Sequence, residues 1–140
     1  MRLVALLFPA RYRYLPGNRL INVLLRSFHI LGFAIFTGGY WFGQPQALLA
    51  PWFWLAVVTG LLMVAIELYG SFSFVVELRG LAVFFKLGLL ALLPSSGEVG
   101  FWLLAAVVLI ASISSHMTGR LRHIAIVPAA TIERLAGRDR

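Results

Sequence analysis

Arg26-Ser-Phe-His29-Ile-Leu-Gly32-Phe-Ala-Ile-Phe-Thr-Gly38-Gly39 sets two ionisable side chains inside a run otherwise suited to hydrocarbon. A charge in that setting is costly unless it finds water or a partner, so the segment must have an inner face. Arg26 and His29 are three positions apart and share a helix face. Gly32 and Gly39 fall near the same face, where they let another helix or a flat ligand approach the backbone closely. This stretch therefore reads as one helix of a membrane bundle, with an inside that other helices cover.

The remainder of the chain supports that reading. Its 140 residues are 61% hydrophobic and 12% charged, with a mean hydropathy of +0.91, outside the range of a water-soluble domain. A globular domain of this size has too much surface to hide so many apolar residues. The length allows one domain, expected to be multi-pass in the cell inner membrane.

The net charge of +7 would suggest nucleic acid, but its placement argues otherwise. Arg2, Arg11, Arg13 and Arg19 come before the first apolar stretch, and Arg120, Arg122, Arg134, Arg138 and Arg140 follow the last. Basic ends around an apolar middle match the positive-inside pattern, which predicts both termini in the cytoplasm and an even number of spans. The arginines are read as solvated beside anionic headgroups, with no nucleic-acid partner. There is no cysteine, which excludes disulfides, thiolate metal sites and cysteine-attached haem.

Four spans are expected, at about 20–41, 48–69, 74–93 and 99–117, with short connections that make neighbours antiparallel. Tyr40, Trp41 and Phe42 form an aromatic belt at the far end of the first, and Trp52 and Trp54 one at the start of the second. Residues 1–19 read as an interfacial segment, 20–119 as the transmembrane domain and 120–140 as a basic cytoplasmic tail. The expected fold is all-α, an antiparallel four-helix transmembrane bundle.

Each span carries polar residues toward its cytoplasmic half. In the first these are Arg26 and His29; in the second, Glu67, aligned with Gly60 and Met63; in the third, Glu77, Arg79 and Lys86; in the fourth, Ser112 and His116. A haem b with two histidine ligands needs neutral imidazoles from different helices, small residues to admit the ring and cations for its propionates. His29 and His116 are the candidate iron ligands, with Arg26, Arg79, Lys86 and Glu67 as further cofactor-binding candidates. The opposing reading is that each histidine hydrogen-bonds a neighbouring helix and no more. The charges of the second and third spans likewise read either as a packing network or as a proton or quinone site. Lys86 lies too deep to reach the headgroups easily, which calls for a partner or an anionic ligand. Copper has poorer support, since Met63, Met117 and the histidines are the donors available within or beside the spans and no methionine-rich or cysteine motif occurs.

His29-Ile-Leu-Gly-Phe-Ala-Ile-Phe-Thr-Gly38-Gly39, Thr59-Gly60 and Arg79-Gly-Leu-Ala-Val-Phe-Phe-Lys86-Leu-Gly-Leu-Leu together resemble the copper-resistance protein D family. The first-span histidine and third-span lysine are also similar to those of small HemJ-type membrane proteins, associated with protoporphyrinogen oxidation and haem. The resemblance covers residues 26–92 and implies a four-helix core, a porphyrin or metal connection, and roles for His29 and Lys86. The chain differs from the first family in being short and without a methionine-rich segment, and from the second in its Ser-Ser-His116-Met-Thr-Gly-Arg120 ending. The leading expectation is a haem- or porphyrin-binding redox protein or membrane electron-transfer subunit. A non-catalytic accessory subunit of a larger membrane complex is the second, and metal-ion (copper) transport the third. The expected partners are the lipid bilayer and either other membrane subunits or further copies of the chain.

Overall fold

A computed structural model of the chain describes residues 8–9, 12–93, 97–116 and 118, with Glu98 described through its backbone alone. Residues 1–7, 10 and 11 of the expected interfacial segment, residues 94–96 of the turn, Met117, and the basic tail with Arg120 and His123 lie outside the described residues. Among those described the secondary structure is helical and contains no strand, so the all-α class read from the sequence is shown. The helices are α1 (Asn18–Trp41), α2 (Gln46–Gly70), α3 (Ser73–Val76), α4 (Leu78–Ala91) and α5 (Gly100–His116), with a 3-10 turn at Gly97–Val99.

Two of these helices are long and apolar enough to cross a membrane, α1 with 24 residues and α2 with 25. At the helical rise they span about 36 and 37 Å, more than the roughly 30 Å of hydrocarbon in a bilayer. α5 is apolar but shorter, with 17 residues. The chain divides into two compact units, Tyr14–Glu67 and a second made of Met1–Arg13 with Leu68–Arg140.

The first unit is a helical hairpin. α1 begins after Gly17, whose φ of 71° is left-handed, and ends at Phe42. Gly43 follows at φ 64°. There the Gly43 N–H donates to the Tyr40 carbonyl and the Gln44 N–H to that of Gly39, at 3.2 and 2.9 Å. These are the two bonds of a Schellman motif, in which a left-handed glycine lets the chain turn while satisfying the last carbonyls. Pro45, which cannot continue a helix, then leads into α2. The two helices meet through small residues and aromatic rings. Leu49 and Ala56 on α2 are buried, and the Phe36 and Phe53 rings lie 5.2 Å apart in a tilted pair. In lipid such contacts work through close packing, because hydrocarbon tails are as apolar as the side chains.

In the second unit the chain leaves α2 through a turn closed by hydroxyls: Ser71 Oγ donates to Ser73 Oγ at 2.9 Å and accepts the Ser73 N–H at 3.2 Å. The Arg13 N–H donates to the Gly70 carbonyl at 3.2 Å, capping the last turn of α2 with the N-terminal segment. The stretch expected as one span from 74 to 93 is two helices, because Glu77 takes extended backbone (φ −85°, ψ 152°) between α3 and α4. α4 and α5 pack against each other, with Leu104 fully buried and Val107 nearly so.

Candidate functional site

In the Tyr14–Glu67 unit the polar chemistry centres on His29. The ring is half-buried, and its Nδ1 lies 2.7 Å from the carbonyl oxygen of Ala56 on α2. A carbonyl only accepts, so Nδ1 carries the proton and donates it. In the neutral ring this leaves the lone pair on Nε2. The Ala56 carbonyl also accepts the Thr59 hydroxyl at 3.1 Å. Thr59, buried to 6% exposure, donates to the Leu55 carbonyl as well, at 2.6 Å, and its oxygen lies 3.5 Å from His29 Nδ1. The histidine therefore sits on a small polar island in the apolar surface of α2.

Two glycines make room for it. A methyl group at Gly60 would lie 2.9 Å from His29 Cε1 and 3.2 Å from Nδ1, closer than the ring tolerates. A methyl at Gly32, one turn along α1, would lie 2.8 Å from the Trp52 carbonyl oxygen, so the helices can be this close only where the side chain is missing. Phe33 stacks beside the imidazole, with ring centres 6.5 Å apart and planes 18° from parallel.

Arg26 precedes His29 by one turn on the same face and is exposed. Glu67 is half-buried, seven residues beyond Gly60 and so about 10 Å further along α2. The structure thus joins His29 to Gly60, which spacing in the sequence aligns with Met63 and Glu67 instead. Thr59 and the Ala56 carbonyl were not among the expected site groups. A hydroxyl beside a glycine in an apolar helix was the signal for the first, whereas a backbone acceptor leaves no trace in composition.

In the second unit Arg79 and Glu77 form an ion pair, Nε to Oε2 at 2.6 Å, with both side chains largely buried. The Arg79 guanidinium also lies over the Phe74 ring, 5.4 Å from its centre. This geometry holds the helix break together: residues two apart do not face each other on a continuous helix, but the extended backbone at Glu77 lets its carboxylate turn back to Arg79. Gly80 completes the arrangement, since a methyl there would collide with the Phe74 carbonyl oxygen.

Lys86 lies two turns further along α4, on its half-buried stripe with Ala82, Val83, Leu89 and Leu90. Leu81, Phe84, Phe85 and Leu87 form the exposed side of the helix. Lys86 makes no hydrogen bond or ion pair among the described residues. His116 is the last residue of α5 and is exposed. The α5 serines near it turn back on their own helix, Ser114 to the Ala111 carbonyl and Ser115 to that of Ser112.

Among the described residues no three of His, Cys, Asp and Glu come together as a cage for a metal ion. An axial haem ligand needs no such cage: it requires one neutral imidazole with its second nitrogen anchored. His29, with Nδ1 donating to the Ala56 carbonyl, has the anchored nitrogen of such a ligand. Comparison with family models, curated proteins and solved structures finds no match to this chain.

Proposed function

We propose that the chain is a multi-pass inner-membrane protein, an antiparallel helical bundle with both ends in the cytoplasm, which binds a haem or related porphyrin through His29 and serves electron transfer. The observation that carries this reading is the 2.7 Å hydrogen bond from His29 Nδ1 to the Ala56 carbonyl. Metal-binding histidines characteristically donate their other ring N–H to a backbone carbonyl or carboxylate, which sets the tautomer and makes the ligating nitrogen more basic. Bound haem would supply one-electron chemistry at its iron.

The chain's own contributions are separate from that chemistry. Ala56 and Thr59 hold the imidazole in one tautomer, and Gly60 leaves bare backbone against the ring. In the other unit the ion pair with Glu77 engages Arg79, and Lys86 makes no ion pair among the described residues. The likeness of the first- and third-span motifs to HemJ-type proteins supports the same reading.

The visible spectrum of detergent-purified protein tests it. A Soret band with sharp α and β bands on reduction is expected. A colourless preparation that co-purifies with stoichiometric membrane partners would favour the accessory-subunit reading, which also draws on the His29 bond, as a clasp between α1 and α2.

A further inference from the structure

The first three turns of α1 carry a cationic stripe that the haem proposal does not use. Arg19, Asn22 and Arg26 follow one another at intervals of three and four residues on one face, and both arginines are exposed. Shallow troughs run along this face. One is lined by Gly17, Asn18, Arg19, Leu20 and Val23, and its continuation by Arg19, Asn22, Val23 and Arg26. Asn22 does not obstruct the gap between the guanidiniums, because its Nδ2 is drawn back onto Asn18, to the carbonyl at 2.9 Å and to Oδ1 at 2.8 Å.

No acidic residue occurs in α1, and Glu67 is the sole acid between residues 14 and 67. Neither Arg19 nor Arg26 forms an ion pair or hydrogen bond among the described residues. Two unneutralised guanidiniums two turns apart, about 10 Å along the axis, thus flank a trough walled also by Asn22 and the exposed Val23, and the adjoining trough adds the exposed Leu20. An ordinary soluble ion would match the charge but not the apolar walls.

We infer that this face is a site for an anionic phospholipid, with the headgroup phosphate between Arg19 and Arg26 and the first part of an acyl chain along Leu20 and Val23. Guanidinium groups bind phosphate through paired N–H donors, and each arginine near a membrane surface adds attraction to anionic lipid. The inference rests on α1 spanning the membrane, and not on the haem.

Native mass spectrometry of the purified full chain, supplied in detergent with phosphatidylglycerol or phosphatidylcholine, tests the site. Wild type should retain phosphatidylglycerol in preference, and the preference should fall as salt is raised. In R19Q/R26Q it should drop on the order of thirty-fold, the effect of removing two arginines from an anionic surface. R138Q/R140Q, which removes the same charge from the tail, should retain it. Equal retention of the two lipids by wild type, or equal losses in the two double variants, would overturn the site.

If R19Q/R26Q removes a visible chromophore while lipid retention stays unchanged, the arginines serve the haem propionates and the lipid site is refuted. A colourless wild type that still prefers phosphatidylglycerol refutes the haem alone. Should R19Q/R26Q fail to fold, the salt response of wild type decides: a preference that salt does not weaken contradicts a guanidinium–phosphate site.

Discussion

At His29 one ring has two duties, since Nδ1 is committed to the Ala56 carbonyl and Nε2 is the nitrogen that would meet an iron. The support is tight, so it can be disturbed from α2. G60A puts a methyl 2.9 Å from Cε1, forcing the ring or the helix to shift, and should cost about 1–3 kcal/mol, read as a lowered Tm in detergent. An unchanged Tm would mean that the helices are not held this closely. T59V should do less, about 0.6 kcal/mol, because the hydroxyl's shortest bond is to its own helix at Leu55. The histidine and the nearby glycines could be found from sequence, because a charge-capable ring and missing side chains are conspicuous in an apolar run. The partner could not, because a main-chain carbonyl is identical at every position. Arg79 itself stood out, but its partner was hidden for a different reason. Its pairing with Glu77 exists only because the backbone breaks between α3 and α4, and nothing in Glu77-Leu-Arg-Gly80 announces a break as proline would.

Among the elements, α1 and α2 follow from features a sequence displays: sustained apolar runs, a left-handed glycine at Gly43 and a proline at position 45 between them. The third apolar stretch is less transparent. α4 has 14 residues and so a length of about 21 Å, short of the hydrocarbon thickness. The break that shortens it is stabilised by tertiary contacts around Phe74. A methyl at Gly80 would meet the Phe74 carbonyl, a backbone atom that cannot rotate aside as a flexible side chain can. G80A should therefore destabilise the second unit by about 3 kcal/mol and raise its sensitivity to protease at the α3–α4 junction. E77Q keeps the shape and weakens the ion pair, and should have a smaller effect in the same assay. If G80A proves as stable as wild type, the break at Glu77 is not part of the folded protein.

For the whole molecule, the all-helical class was legible because composition alone nearly requires it, and two helices meet the length and hydropathy needed to cross a bilayer. The proposed four-span topology makes a direct prediction. Reporter fusions at Arg140 should read cytoplasmic and insertions at Gly97 external, following the arginines at the two ends; ends on opposite sides would remove the topology. The haem claim has a sharper test in purified wild type, His29→Ala and Thr59→Val, each titrated with haem and reduced. The proposal predicts sharp α and β bands for wild type and Thr59→Val, and their loss in His29→Ala. A His29→Ala spectrum indistinguishable from wild type, or a folded wild type that takes up no haem, would contradict it.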